Sequence, residues 1–244
     1  MSVSKLLGMA AGVAALPAAS VATILLRKRL FHGVGRHYRA TVTPLATDGA
    51  SGKVARRLAG EALIRVSGGL PFALDDTRRD VLGFAMRFHE AGTPGHQPGP
   101  GDQDLVMASF KTLPTIAKGF ATSDTRHVLH NTFRTAQVYT DVDLGRVEFR
   151  VLPERQIGEG DNGFDRLDHV VSNGGASMVF AWRPWSEPDA WTDLLELKLV
   201  QTLDHADDAT HFDPFRSGRG IEPAGFWGGL RKVVYPVARR LRGG

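Results

Sequence analysis

The chain contains no cysteine. That excludes structural disulfides, cysteine-built zinc sites, iron–sulfur clusters and thiol catalysis, and it leaves the redox compartment open. No G-x-S-x-G elbow occurs, so a serine hydrolase has no support. Nucleic-acid motifs are missing, as is any interleaving of aromatic with basic residues, so no nucleic-acid partner is expected. No internal repeat is evident. Acidic residues are absent from 27–39, which holds Arg27, Lys28, Arg29, Arg36 and Arg39. From Arg216 onward, Arg216, Arg219, Arg231, Lys232, Arg239, Arg240 and Arg242 stand against Glu222 alone.

What is present suits an ordinary globular protein. At 244 residues, 42% hydrophobic and 23% charged, the chain can bury one substantial core, or a core with an N-terminal appendage. The basic ends, within a formal net charge of +4, suit an anionic membrane surface or an anionic cofactor.

Leu6 to Leu26 is an uncharged, largely apolar run, preceded by Lys5 and followed by Arg27-Lys28-Arg29. As a helix it has about the length that spans a bilayer core of roughly 30 Å. Ala and Gly are frequent in it, and Pro17 would kink it. The basic C-terminal flank favours a globular domain on the cytoplasmic side of a membrane. Two other readings stand beside this one. Ala18-Ala19-Ser20 offers small residues for signal-peptide cleavage and export, or the run is an apolar helix packed against the domain or a partner chain.

From about residue 36 the pattern turns to short β-like runs: Tyr38–Thr43, Ala62–Ser67, Gly83–Phe88, Val147–Leu152, Ser177–Trp182 and Leu194–Leu203. Clusters of Gly, Pro, Asp and Asn separate them, which argues for an antiparallel sheet or barrel with some helix. Between Ala91 and Gln103, Gly and Pro account for seven residues of 13, the mark of a surface loop. Residues 110–135 (Phe110, Leu113, Ile116, Ala117, Phe120) read as helix from spacings of three and four, and so does Phe226 to Leu241 despite Pro236. Gly158-Glu159-Gly160-Asp161-Asn162-Gly163 fits G-x-G-x-x-G on paper, but its carboxylates would repel a pyrophosphate, so a loop is expected. His127 and His130 lack a third ligand at a recognisable spacing and are read as surface or core histidines.

Three separated segments resemble the haem-binding landmarks of the catalase superfamily. The first, Arg29-Leu30-Phe31-His32-Gly33-Val34-Gly35, is similar to the passage around the family's distal histidine. The second runs Arg65-Val66-Ser67, Asp75, then Arg79-Asp80-Val81-Leu82-Gly83-Phe84-Ala85-Met86-Arg87-Phe88 and Asp104-Leu105-Val106. It is the most specific of the three. The third is Phe212-Asp213-Pro214, Gly220-Ile221-Glu222-Pro223 and Arg231-Lys232-Val233-Val234-Tyr235-Pro236, resembling the passage whose tyrosine ligates the haem iron. The region 120–205 aligns loosely, and the wrapping and C-terminal extensions of large catalases have no counterpart here.

The resemblance implies an α+β fold, with an antiparallel β-barrel core of catalase type, peripheral helices and an apolar N-terminal helix. Residues 1–28 would form that helix and 29–244 the haem-binding domain. It implies haem b held through the Tyr235 phenolate, with Arg231 one helical turn away on the same face. Arg29 and Arg65 would grip the propionates as planar guanidinia do, and Gly83 and Phe84 would border the cofactor. His32 would move the proton during peroxide cleavage, with a pKa near 6.5 suited to both giving and taking it; His37 competes for that role. Ser67 would fix the imidazole's orientation.

Some family features are missing. Met107-Ala108-Ser109 stands where catalases carry a distal Gly-Asn-Asn, unless Ser109 substitutes for the amide, and Leu82 stands where an Arg is frequent. The Asp-Thr after Tyr-Pro is absent as well. The expectation is therefore a haem-dependent peroxidase or catalase-like enzyme acting on a hydroperoxide or small apolar substrate, with lipid-derived hydroperoxides among the candidates because His32 lies so close to the apolar run. The alternative is a relative without haem, serving as a membrane-associated binding or scaffolding module.

Overall fold

The structure is a computed structural model and describes residues 34–70, 74, 78–89, 97–110, 115–204 and 210–225. The apolar run 6–26, the segment bearing Arg29 and His32, Asp75, and the C-terminal pattern Phe226–Leu241 with Arg231 and Tyr235 lie outside the described residues. Among the described residues, no helix is long and apolar enough to cross a membrane.

Among the described residues there are ten strands, six of which take up the β-like runs. They are β1 (Gly35–Pro44), β2 (Gly60–Gly68), β3 (Leu82–Phe88), β4 (Gln103–Ala108), β5 (Phe133–Arg134), β6 (Tyr139–Asp141), β7 (Gly145–Pro153), β8 (Ala176–Pro184), β9 (Thr192–Leu203) and β10 (Ile221–Pro223). The sheet runs β10-β6-β7-β5-β4-β3-β2-β1-β9-β8, and β8 pairs back onto β7. Strands β1–β5 and β7–β9 thereby close into an antiparallel barrel, with β6 and β10 continuing from the edge of β7. Closure leaves few unpaired strand edges. Register shifts at Arg39/Ala40 and Phe180/Ala181 supply local bends.

The period-two alternation decides which residues fill the barrel. Val66, Phe84 and Met107 share one register row, and Ile64, Met86 and Leu105 the next. All six belong to one buried cluster with Val147, Phe149, Val151, Phe180, Leu195 and Leu197. Phe88 and Phe180 lie 5.9 Å apart, centroid to centroid, although β3 and β8 are not neighbours in the sheet. Their contact crosses the interior. Phe149 stacks on Phe180 at 5.1 Å and meets Tyr139 edge-on at 6.1 Å.

Three α-helices are described: α1 (Gly49–Leu58), α2 (Ile116–Thr122) and α3 (Gly163–Ser172). In α1, Val54, Ala55 and Leu58 join the core, while Arg57 reaches the carboxylates of Asp141 and Asp143. At the start of α3, Asn162 accepts the amides of Phe164 (2.9 Å) and Asp165 (3.1 Å), an N-cap that satisfies two orphan donors. The helix buries Phe164, Leu167, Val170 and Val171. Its Asp168 accepts the Tyr38 hydroxyl at 2.9 Å and the Thr202 hydroxyl at 3.1 Å, and Arg36 pairs with Asp165 and Asp168. Burial pushes the Tyr38 hydroxyl well above its ordinary pKa, so it remains a donor to Asp168.

The helix expected over 110–135 is corrected. Among the described residues of this stretch, the α-helix covers Ile116–Thr122; Val128–His130 forms a 3-10 turn and Phe133–Arg134 is strand β5. Side chains compete with the helix for the backbone here. The Ser123 hydroxyl donates to Gly119 O at 2.8 Å, and the Asn131 amide nitrogen donates to the carbonyls of Asp124, His127 and Val128. Helices α1 and α3 were not read from sequence. Residues 158–162 form a connection leading into α3 at Gly163, as the loop reading required.

Candidate functional site

The outer face of β1–β4 carries the residues of the second catalase-like motif that alternate with the core-facing ones, among them Arg65, Ser67, Gly83, Ala85, Arg87, Asp104 and Val106. One register row there is Gly35, Ser67, Gly83 and Ala108, so none of its side chains is larger than serine. The next row is His37, Arg65, Ala85 and Val106. Both faces of these strands are packed: His37 is fully buried, and Arg65, Ser67 and Ala108 are nearly so. A polar set buried on the outside of a barrel is unusual, since an outer strand face ordinarily meets water.

Arg65 and Ser67 project from the same side of β2 because they are two residues apart. The Arg65 guanidinium lies against Gly35: a Cβ at position 35 would stand 2.8 Å from its Cζ and 2.6 Å from Val66 O. Glycine at 35 is thus what lets Arg65 extend along the row that holds Ser67. His37 is Arg65's cross-strand partner, which places a described imidazole on the same outer face.

Of the expected site residues, Ser67, Arg65 and Gly83 share this face. Phe84 does not. It is on the opposite face of β3 from Gly83, packs on Phe133 at 4.9 Å and belongs to the barrel core, so a group lying outside the barrel would not touch it. His32, Arg29, Arg231 and Tyr235 lie outside the described residues. Ser109, the stand-in considered for a distal amide, has its hydroxyl engaged: it accepts the Leu82 amide at 2.9 Å and shares a 2.6 Å hydrogen bond with Ser123.

Other motif residues turn out to hold the frame. The Asp80 carboxylate accepts the amides of Leu70 (3.1 Å) and Val81 (2.7 Å), clamping the β2–β3 connection. Burial raises its pKa, with those amides opposing. Arg87 and Asp104 form a fully buried, bidentate pair with contacts of 2.8 and 3.1 Å. Asp104 also accepts the Asp213 amide at 2.8 Å and Arg216 Nη1 at 2.7 Å, while Arg87 donates to His211 O and lies 5.0 Å over the Phe212 ring. The 211–216 segment, part of the third motif, is thereby tied to β3 and β4, the second. Gln103 adds bonds from its side chain to Arg216 O and Ile221 O. Two motifs more than a hundred residues apart meet on one side of the barrel.

No family model and no curated protein matches the chain. Solved structures do match its architecture. A fungal catalase superposes with a TM-score of 0.60 at 14% identity, over 88% of this chain and 59% of its own. The fold is that of the catalases. A bacterial catalase gives 0.61 at 13% identity and catalase A from Saccharomyces cerevisiae 0.60 at 12%, each over 88% of this chain and, respectively, 57% and 60% of its own. The chain thus spans under two thirds of the length of these catalases. At such identity the likeness is one of fold, and the chemistry rests on the residues themselves. What sequence reasoning missed on this face is the Arg87–Asp104–Arg216 network; its signal was a basic residue in the run Gly83–Phe88 and an acidic one beside Leu105-Val106 of the same motif.

Proposed function

We propose that this catalase-fold chain binds haem b against the outer face of β2–β4 and acts on hydroperoxides, lipid-derived ones included. The observation that carries the reading is the row Ser67, Gly83 and Ala108, three small residues aligned across three strands on the buried outer face. A flat macrocycle needs such a row, because any longer side chain would lift it from the sheet. Arg65, drawn beside that row by Gly35, supplies a guanidinium suited to a propionate. The small-residue row and Arg65 support the reading; the resemblance supplies Tyr235 as the iron ligand, with Arg231 beside it and Arg29 as a second propionate partner.

Bound haem supplies the redox chemistry of O–O bond cleavage. The chain's own residues supply proton handling. By the resemblance, His32 would take a proton from one peroxide oxygen and return it to the other, and the Ser67 hydroxyl would hold its imidazole in orientation. Ala108 stands where catalases place a distal amide, and Ser109 is committed to Leu82 and Ser123. With no amide at this position to orient a small peroxide, an alkyl hydroperoxide suits the site better than hydrogen peroxide. The apolar run 6–26, with its basic flank, would hold the pocket at a membrane, the domain on the cytoplasmic side; deleting 1–26 should then release the protein and lower turnover of lipid hydroperoxides.

Tyr235→Phe tests the reading. The expected result is loss of haem and of cumene hydroperoxide turnover with an unchanged far-UV circular dichroism spectrum. A variant with undiminished haem and turnover overturns it. A wild-type chain that takes up no haem supports the alternative, a catalase-fold binding module on a membrane.

A further inference from the structure

Asp124, His127 and His130 stand apart from the catalase-like motif residues, in the connection between α2 and β5. Their ligand atoms, one carboxylate oxygen and two imidazole nitrogens, all lie within 4.8 Å of one another. Oδ2 of Asp124 is 3.4 Å from Nδ1 of His127 and 3.4 Å from Nδ1 of His130. That is long for an imidazole–carboxylate hydrogen bond. It equals the edge of a tetrahedron whose centre lies about 2.0–2.1 Å from N and O donors, an edge of about 3.3–3.4 Å. The two imidazoles stack with centroids 4.8 Å apart and planes 18° from parallel, both turning Nδ1 toward the same carboxylate oxygen.

The scaffold around these ligands is fixed by hydrogen bonds that leave the metal-facing atoms out. Asp124 Oδ1 accepts the amides of Arg126 and His127, each at 3.0 Å, which turns Oδ2 to the histidines. Asn131, nearly buried, accepts the Asp124 amide at 2.8 Å and donates to the carbonyls of Asp124, His127 and Val128. It staples the segment that presents all three ligands. Each ligand side chain is between a quarter and two fifths exposed, so solvent reaches the cluster.

We propose that Asp124, His127 and His130 bind one divalent transition-metal ion of the zinc class, with the remaining coordination position open to water. Two imidazoles and one carboxylate are the donor set of such ions; calcium and magnesium prefer all-oxygen shells. The spacing Asp-x-x-His-x-x-His places the ligands on a tight turn, and neither the barrel nor a haem contributes to it.

The test is isothermal titration of the full chain, prepared without a histidine tag and stripped with chelator, with zinc chloride; cobalt(II) absorption serves as the second readout. Wild type should bind one tight equivalent. Asp124→Asn keeps an oxygen for the Arg126 and His127 amides but removes the charge, and His127→Gln with His130→Gln removes both imidazoles. Each should weaken binding by at least about 100-fold, beyond the 10–100-fold that outer-shell changes typically cost, with circular dichroism unchanged. Zinc binding to wild type no tighter than to Asp124→Asn, or a cobalt spectrum that survives the double variant, overturns the site.

Discussion

Asp104→Asn isolates the buried pair that joins the second and third motifs. Asp104 is fully buried and its two oxygens serve four donors: Arg87 Nε and Nη2, Arg216 Nη1 and the Asp213 amide. Asparagine nearly matches its shape. It keeps one carbonyl oxygen, turns an NH2 toward a guanidinium or amide, and leaves the fully buried Arg87 facing a neutral partner. Breaking a buried ion pair from one side costs about 3–5 kcal/mol, because the surviving charge is desolvated without compensation. At about 2–4 °C per kcal/mol for a chain of this size, the melting temperature should fall by roughly 6–20 °C. Urea unfolding followed by circular dichroism measures the loss directly, and a shifted midpoint at constant slope would identify it as stability. A variant within about 1 kcal/mol of wild type would refute the reasoning, since Asp104 would then not be the anchor of 211–216.

Three further outcomes follow from the packing and the buried charges. Phe149→Ala removes a fully buried ring that contacts Phe180 and Tyr139, and urea unfolding should show a loss of about 3–5 kcal/mol. Gly35→Val would drive side-chain carbon into Val66 O and the Arg65 guanidinium; overpacking of this kind costs about 1–3 kcal/mol, and the same variant should weaken hemin uptake by displacing Arg65. His89 sits near the other end of β3, with Nδ1 3.2 Å from Asp102 and Nε2 buried without a hydrogen-bond partner. Burial lowers its pKa, helped by Arg87 and Arg219, while Asp102 and Asp104 oppose. The unfolded chain therefore binds the proton more readily, so this contribution is complete above the unfolded value near 6.5 and fades as pH falls through the folded one. Urea midpoints at pH 7.5 and 5.5 should differ less in His89→Gln than in wild type; an equal difference would remove His89 from the account.

The barrel was largely legible because strands alternate. Runs such as Ala62–Ser67 and Gly83–Phe88 place every second residue in one core, and the structure extends each by only a residue or two at its ends. Helices were harder. The apolar spacing over 110–135 continued beyond Thr122, but Ser123, Asp124 and Asn131 spend their side chains on backbone groups, and no periodicity count registers that. Helix α3 announced itself only by a cap, Asn162, at the end of a glycine-rich stretch. Which face a motif residue takes follows from the same alternation: Gly83 and Phe84, one residue apart, turn to opposite sides of β3. His127 and His130 lacked a ligand in the sequence reading, and the turn held by Asn131 brings Asp124 to them.

The central claim is that a catalase-fold barrel carries haem on the outer face of β2–β4. Titrating hemin into the purified full-length chain, followed by visible absorption, tests it most directly. The account predicts saturation at one equivalent, with a Soret band and the charge-transfer absorption of ferric phenolate ligation, both abolished by Tyr235→Phe. A spectrum that remains that of free hemin would contradict it.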